Sequence, residues 1–312
     1  MANRFDPKLI VPVGVGSDRT SAVVAGPHGT GKSTFLGSAA KVVGPEHTLL
    51  VATHSREVDS WLYKQLGIPH VLVEDTNWKP ATRQYMADGY RRFLDTVEWL
   101  REEDDQYDVI LVDSGTELGE SAWHAALAPN AVGSPSEMDG QSRWLPYETL
   151  DNLLDQGIKG LVSLTKIAKR PKHVLVSWHV QPPKDDNFDP NTRTKKESAD
   201  HASKGVEYEG DVLPMVRGRF RRRVGAQFAS MLYTNIRYTP GTNGLRPEYR
   251  LQVLPNPERA TKVPGPLPNV SYIPNDFGAF LALLRGEYVA EGNTVETPAA
   301  SSLRGKLSRA SR

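Results

Sequence analysis

The sequence predicts an α/β fold in which a mainly parallel central sheet is flanked by helices and ends in a C-terminal antiparallel hairpin. Three observations lead to this prediction. Short apolar runs alternate with stretches that can form helices, which is typical of parallel sheets. A glycine-rich turn at residues 26–33 joins the first apolar run to the first helix. A Pro-Gly-Thr-Asn-Gly turn at residues 240–244 separates two later segments of strand character.

The elements follow from the periodicity of the apolar residues. Runs bounded by glycine, proline or polar residues predict buried strands at 21–25, 48–53, 70–73, 107–112 and 174–178. Helices are expected from residue 32, around 59–66, over 82–103, over 150–164 with interruptions at Gly157 and Gly160, and over 279–284. Strand character also occurs at 227–237 and 248–253, on either side of the late turn.

Composition excludes several classes of protein. The 312 residues include 38 basic and 37 acidic side chains, so the net charge of +1 gives no support to binding of polyanions by bulk charge. The absence of cysteine excludes disulfide scaffolds, thiolate metal sites and a cysteine nucleophile, and it favours a reducing, cytoplasmic location. There is no apolar run of membrane-spanning length and no export signal in the first residues, so no membrane association is expected.

We expect one large domain at residues 20–284, preceded by an N-terminal arm at 1–19. Within the domain, residues 181–208 are rich in charge and poor in aliphatic side chains, which is typical of a mobile loop. The last segment, 285–312, is expected to be a flexible basic tail, since its final residues carry four basic side chains and no acidic one.

The glycine-rich turn fits the phosphate-binding pattern G-x-x-x-x-G-K-[ST] at every fixed position. Its glycines allow backbone N–H groups to surround phosphate oxygens, Lys32 supplies positive charge to the β- and γ-phosphates, and Ser33 supplies a ligand for Mg²⁺. The sequence therefore predicts binding of ATP with Mg²⁺. The expected nucleotide-binding residues are Gly26, Pro27, His28, Gly29, Thr30, Gly31, Lys32, Ser33 and Thr34.

A P-loop needs a second acidic residue to position the metal, usually at the end of a neighbouring strand. Four apolar residues run into Asp113, which is therefore the expected Walker B residue and a metal ligand beside Ser33. Two predicted strands lie between the P-loop and this acid in sequence. By analogy at the level of the fold, this order favours the RecA-like ATPases, in which another strand lies between those two in the sheet.

The general base is harder to assign. Residue 114 is serine, so the Asp-Glu signature of many motors is absent, and His54 stands where a glutamate is expected after the second strand. Glu57 is the catalytic candidate, although an exposed glutamate at a helix start is the alternative; Glu117 and Glu74 are weaker candidates. His179 or Gln181, at the end of the strand at 174–178, could sense the γ-phosphate, although a histidine there could equally be a solvated strand end.

A cluster of arginines could bind phosphate groups, either on nucleic acid or on a neighbouring subunit's nucleotide. A solvated basic helix face is the alternative. The cluster comprises Arg217, Arg219, Arg221, Arg222 and Arg223.

These residues resemble those of phage-encoded RecA-like P-loop ATPases, AAA-domain nucleotide-binding proteins that include the Sak4-type single-strand annealing proteins. The likeness covers residues 20–284 and rests on segments 26–33, 113–118, 174–179, 213–223, 229–233 and 260–268. It implies ATP-dependent action on single-stranded DNA in recombination or replication, and a homo-oligomer with nucleotide at the interface. In the closing segment, it makes Lys262 a candidate contact to a neighbour's γ-phosphate.

Two other functions fit the same motifs. One is a P-loop phosphotransferase in which the arginine cluster forms a lid over the nucleotide. The other is a nucleotide-dependent switch or motor subunit in virion assembly or DNA packaging, with slow hydrolysis because His54 replaces the expected glutamate.

Overall fold

The computed structural model describes residues 19–75, 78–79, 84–85, 88–130, 138, 140–181, 213–217, 219–241, 244–256, 259–264 and 270–289. Most of the expected arm, mobile loop and tail lies outside the described residues. Among the residues that are described, no helix is both long and apolar enough to span a membrane.

The strands are β1 Ser21–Gly26, β2 Thr48–Ala52, β3 His70–Leu72, β4 Trp78–Lys79, β5 Gln84–Tyr85, β6 Val109–Asp113, β7 His173–Gln181, β8 Leu213–Pro214, β9 Ser230–Gly241, β10 Gly244–Gln252 and β11 Tyr272–Pro274. The α-helices are α1 Lys32–Val43, α2 Ser55–Val58, α3 Trp61–Leu66, α4 Asp88–Glu102, α5 Gly115–Leu127, α6 Leu145–Ser163, α7 Val224–Gln227 and α8 Phe277–Leu284. Short 3₁₀ helices occupy Pro45–His47, Ala128–Asn130, Gly140–Trp144 and Arg219–Arg222.

The central sheet has the strand order β11-β10-β9-β1-β7-β6-β2-β3, with β8 paired to β7. The strands from β9 to β3 are parallel to one another, whereas β10 and β11 are antiparallel additions at one edge. The predicted fold class is confirmed. The expected insertion is also present, since β7 lies between β1, which leads into the P-loop, and β6, which ends at Asp113.

The sheet is buried on both faces, which explains why its strands are continuous apolar runs rather than alternating ones. On β1, Val23 and Ala25 face a core formed with α4, α5 and α6, while Ala22 and Val24 face a second core formed with α1, α3 and α8. Each large apolar side chain withdrawn from water in this way contributes about 1.5–3 kcal/mol. The parallel strands therefore hold their carboxyl ends at one fixed edge.

Two of the predicted helices differ in the structure, and α5 has no counterpart in the sequence prediction. The helix expected over 82–103 begins only at Asp88, and the residues just before it form the small β4–β5 pair. The helix expected to break at its glycines is continuous as α6. Gly157 serves packing there, because a Cβ atom at this position would lie 2.5 Å from the Tyr90 hydroxyl of α4. The missing side chain lets the two helices approach closely.

Candidate nucleotide-binding site

The P-loop connects β1 to α1 at the carboxyl edge of the sheet. Gly26 ends β1 so close to β9 that an added Cβ atom would lie 2.0 Å from the Thr234 hydroxyl oxygen. Gly31 precedes the helix with a φ of 93°, in the left-handed region that favours glycine. All three motif glycines are thus required by geometry, because Gly29 also lies in the left-handed region, with a φ of 74°.

Lys32 is held over the loop by its own backbone. Its ammonium donates hydrogen bonds to the carbonyl oxygens of Gly26 at 2.9 Å and Pro27 at 2.7 Å, and the residue is only 6% exposed. Burial lowers the pKa of Lys32 to about 8, an effect that the Asp113 carboxylate opposes. The group is therefore mostly protonated at neutral pH, and incoming phosphate oxygens can replace the carbonyls as its partners.

Asp113 is the centre of a hydroxyl cluster. Its Oδ2 accepts hydrogen bonds from the Ser33 hydroxyl and the Tyr63 hydroxyl, each at 2.8 Å, and its Oδ1 accepts one from Ser177. The parallel register that pairs Val112 with Val176 brings Ser177 beside it. Burial raises the pKa of Tyr63 well above its usual value, so this hydroxyl stays protonated as a donor.

The Ser33–Asp113 pair offers the hard oxygen ligands that Mg²⁺ prefers. Mg²⁺ usually takes one or two protein ligands and completes its shell with water and substrate phosphates. The part of the chain that the structure describes has no cluster of three or more histidine or acidic side chains suited to hold a metal by itself. The residues present therefore fit a metal that arrives with a nucleotide.

These groups open into one cavity of about 540 Å³ at the edge of the sheet. The cavity contains the predicted catalytic residues as well as most of the P-loop. Its walls are formed by His28, Gly29, Gly31, Lys32, Ser33, Thr34, Arg56, Glu57, Ser60, Asp113, His179 and Tyr249.

Glu57 lies in this cavity, and its side chain is only 11% exposed. It is therefore not the exposed helix-start glutamate of the alternative interpretation, although it does cap a helix. Its Oε2 accepts the backbone N–H of His54 at 2.6 Å, and His54 in turn accepts the N–H of Arg56 at 3.1 Å. Burial, and next the nearby Asp113 charge, raise the pKa of Glu57 to about 8.

His179 reaches the cavity from the end of β7 and is stacked on His28 of the P-loop, with ring centroids 3.9 Å apart. Its backbone N–H donates to the Thr116 hydroxyl at 3.0 Å. Burial lowers the pKa of His179 to about 4, with smaller contributions from the charges of Lys32 and His28, so the ring is neutral at pH 7. Its buried Nδ1 has no hydrogen-bond partner among the described residues.

The weaker candidates for the base lie elsewhere. Glu117 accepts a hydrogen bond from the Arg56 guanidinium at 2.6 Å, and Glu74 accepts the N–H of Ser55 at 2.9 Å. Neither carboxylate lines the P-loop cavity. Gln181 ends β7, and its side chain is outside the described residues.

The arginine cluster borders a separate groove of about 1040 Å³ between α5, α6 and the segment after β8. Arg217 pairs with Glu120 at 3.1 Å, and Arg223 pairs with Asp155 at 2.9 Å. The other three arginines make no ion pair with a described residue. Two of them, Arg219 and Arg221, line the groove. None of the five lines the P-loop cavity.

Lys262 lies at the amino-terminal end of β9, away from the P-loop. Its backbone pairs with Met231, and its ammonium donates to the carbonyl oxygen of Phe228 at 2.8 Å. The structure therefore does not bring Lys262 to the nucleotide cavity of its own chain.

Besides Arg56 and Ser60, which line the cavity close to Glu57 in sequence, the sequence analysis missed four residues that shape the site. Tyr63 and Ser177 hold Asp113, Tyr249 lines the cavity, and Asn275 donates to the carbonyl oxygen of Gly31 at 2.8 Å. Only Ser177 carried a signal, as a hydroxyl inside an apolar strand. The others reach the site from distant parts of the chain, so no local pattern marks them.

Comparison with solved structures gives distant likenesses. An ATPase from the type III secretion system of pathogenic bacteria is 16% identical with a TM-score of 0.35, and the match covers 69% of this chain and 52% of that one. The flagellar accessory protein FlaH from Methanocaldococcus jannaschii is 11% identical with a TM-score of 0.35, covering 81% and 83%. The RadB recombinase is 14% identical with a TM-score of 0.33, covering 75% and 79%. The chain thus spans about half the length of the secretion ATPase, and likenesses this weak carry no argument about function.

Comparison of the sequence itself is more informative. No curated protein matches it. A family model described as an AAA domain matches residues 18–227, which is more than half of the 312 residues and includes both the P-loop and Asp113. The protein belongs to this AAA domain family.

Proposed function

We propose that this protein binds ATP with Mg²⁺ in the P-loop cavity and hydrolyses it. The observation that carries this proposal is the convergence of Lys32, Ser33 and Asp113 on one cavity at the carboxyl edge of the sheet. A cation, a hydroxyl and a carboxylate in this arrangement suit a triphosphate and its metal. Bound Mg²⁺ would offset charge on the β- and γ-phosphates, with Ser33 and Asp113 as its protein ligands.

In this proposal each side chain has one role. Lys32 exchanges its two loop carbonyls for phosphate oxygens, and the neutral His179 ring contacts the γ-phosphate side of the cavity as a sensor. Glu57 accepts a proton from the attacking water. Because burial and the Asp113 charge raise its pKa to about 8, Glu57 is mostly protonated at neutral pH, which favours slow turnover.

We further propose that single-stranded DNA binds along the groove that carries the arginine cluster. Arg219 and Arg221 line it without carboxylate partners among the described residues, while two of its four acids, Glu117 and Glu120, are neutralised by ion pairs. Trp144 is 68% exposed at its rim and offers a flat ring on which a base can stack. The resemblance to phage recombination ATPases supports the same partner, in a cytoplasmic protein of one domain at 20–284.

The same resemblance supports a homo-oligomer with the nucleotide between subunits. Lys262 is far from its own chain's P-loop, so any contact it makes with a nucleotide must be with that of a neighbour. The geometry gives less support to a phosphotransferase with an arginine lid, because no arginine of the cluster lines the P-loop cavity.

ATP turnover measured with and without a single-stranded oligonucleotide tests both parts of the proposal. We expect Mg²⁺-dependent turnover that the oligonucleotide stimulates, and binding that weakens as salt rises. Replacing Arg219 and Arg221 together by Ala should remove the stimulation, whereas Arg223→Ala, whose arginine is paired with Asp155, should retain it. Turnover without any response to DNA would leave the ATPase proposal standing and refute the DNA proposal.

A nucleotide switch that hydrolyses poorly is the second candidate, favoured by the capping bond that occupies Glu57. A chain that acts as such a switch should bind ATP tightly with little turnover. His54→Glu should then raise turnover, because it places a second carboxylate beside the site. Unchanged turnover in this variant would contradict that explanation for slow hydrolysis.

A further inference from the structure

The P-loop cavity contains a second cationic side chain besides Lys32. Arg56 of α2 lines the cavity, and its side chain is 55% exposed. Its Nη2 lies 2.6 Å from Oε1 of Glu117, and its Nε lies 3.6 Å from Oε1 of Glu57. The guanidinium is therefore held between two carboxyl groups, one inside the cavity and one on the first turn of α5.

Its charge distinguishes Arg56 from the other basic side chains on the cavity walls. Three other basic side chains line its walls: Lys32 is committed to the loop backbone, His179 is neutral at pH 7 because burial lowers its pKa, and His28 is stacked on the His179 ring. A guanidinium stays protonated at any physiological pH, and its planar set of N–H donors matches two phosphate oxygens at once. A nucleoside triphosphate has one more charged phosphate to neutralise than a diphosphate does.

We propose that Arg56 binds the terminal phosphate of the nucleotide, and that the Glu117 carboxylate is the competing partner that occupies the guanidinium until the nucleotide arrives. This proposal rests on the proposed binding of a triphosphate at the P-loop. Binding then exchanges one anionic partner of the guanidinium, the Glu117 carboxylate, for another, the terminal phosphate. The exchange makes Arg56 a residue that distinguishes triphosphate from diphosphate.

Binding of fluorescent ATP and ADP analogues to the full chain tests the role of Arg56. Arg56→Gln should weaken triphosphate binding by about 10- to 100-fold, the range of a lost charge-assisted pair. Diphosphate binding should change by less than about 3-fold. Arg56→Lys should recover part of the difference, because it restores the charge without the two-pronged geometry. Arg101→Gln, which alters a half-buried arginine on α4 that does not line the cavity, is the matched control and should leave both affinities unchanged.

A double-mutant cycle tests the role of Glu117. Glu117→Gln should raise triphosphate affinity several-fold, because it removes the competing carboxylate, and should have no effect in the Arg56→Gln background. If Glu117 had only a general structural role, Glu117→Gln would change the triphosphate affinity equally in both backgrounds. That result would overturn its assignment. Thermal unfolding of each variant establishes that the chain is folded.

The outcomes separate this proposal from the one on which it rests. If the unaltered chain binds neither nucleotide, or if Lys32→Ala binds both as well as before, the P-loop proposal fails. The P-loop proposal can hold while Arg56→Gln weakens the binding of ATP and ADP equally, or weakens the binding of neither. In that case Arg56 does not bind the terminal phosphate.

Discussion

Asp113 receives three hydroxyl groups from three different elements, and this arrangement explains how a carboxylate can be nearly buried without a cation fixed beside it. Ser33 comes from α1, Tyr63 from α3 and Ser177 from β7. A buried carboxylate is costly unless its oxygens accept hydrogen bonds, and these donors meet that need. The role of a single residue is determined by its neighbours in space, so single substitutions give the sharpest tests.

Lys32→Ala should weaken ATP binding by about 100-fold or more, because it removes the charge that faces the phosphates. The fold should survive, since the lost ammonium bonds only to two loop carbonyls. Fluorescence titration with an ATP analogue measures the change. Lys41→Ala, on the exposed last turn of the same helix, is the control. Full ATP affinity in Lys32→Ala would refute the assignment of the P-loop.

Glu57→Gln should reduce turnover by about 100-fold or more while ATP binding stays within about 3-fold, because the amide cannot accept the proton of water. Its oxygen can still accept the His54 N–H, so the helix cap is preserved. Single-turnover hydrolysis with prebound ATP separates the chemical step from binding. Turnover equal to that of the unaltered chain would place the general base on another residue.

His173 should make the fold sensitive to acid. Its ring is 3% exposed and accepts the N–H of Thr20 at 3.2 Å. Burial, together with the charges of Arg19 and Arg285, lowers the pKa of His173 to about 4. The unfolded chain binds a proton at this residue near pH 6.5, so the unfolded state takes up more protons as pH falls from 6.5 to 4. Stability must therefore decrease over that interval, by at most about 3 kcal/mol.

Urea unfolding at several pH values measures this effect. The unaltered chain should lose about 2–3 kcal/mol more than His173→Asn between pH 7 and pH 4, because the variant keeps an acceptor for Thr20 but does not titrate. His70→Asn, at an exposed position, should follow the unaltered chain. Parallel pH profiles for the unaltered chain and His173→Asn would contradict the role given to this ring.

At the scale of elements, the contact between α5 and β7 depends on a missing side chain. Gly115 opens α5, and a Cβ atom there would lie 2.4 Å from the Trp178 ring of β7. Gly115→Ala should lower the free energy of unfolding by about 2–4 kcal/mol, even though alanine is the better helix former. Thermal and urea unfolding measure this loss in the free energy of unfolding.

Gly160→Ala is the matched comparison, since the added Cβ atom would meet only Val97 at an ordinary 3.5 Å. Here helix propensity should dominate and stabilise α6 by up to about 1 kcal/mol. The two glycine substitutions should therefore differ in sign. Similar losses of stability at both positions would show that the Trp178 contact does not determine the result at Gly115.

The sequence predicted the parts of the fold that depend on short segments. The apolar runs identified β1, β2, β6 and β7 because each is buried on both faces, and the P-loop was identified because its chemistry requires fixed local spacing. The helix interruption at Gly157 was wrongly predicted, because glycine there serves contact with Tyr90 rather than a break. Asn275 could not be predicted at all, since its partner Gly31 lies 244 positions away in the chain.

At the scale of the whole molecule, the segment after the family match completes the nucleotide-binding domain. The AAA domain match ends at residue 227, whereas β9 pairs with β1 beyond it, and Phe277 and Phe280 of α8 pack on Phe35 of α1. Those aromatic rings are buried in the same core as α1, the helix that follows the P-loop. The matched region alone therefore lacks one edge of the sheet.

A chain truncated after residue 227 should lose cooperative unfolding and ATP binding, because the edge of β1 and the apolar face of α1 become exposed. A chain truncated after residue 289 keeps every described element and should unfold like the full chain. Circular dichroism during heating and ATP titration compare the two. A cooperative transition in the shorter chain would show that the C-terminal strands are dispensable for folding.

The hydrogen bond from Asn275 to Gly31 also sets an order of events during synthesis. A ribosome that adds about 5–20 residues per second releases Gly31 roughly 12–50 s before Asn275. For that interval the phosphate-binding bend exists without the amide that secures it. The nascent polypeptide must therefore extend past residue 275 before a nucleotide can meet a finished site.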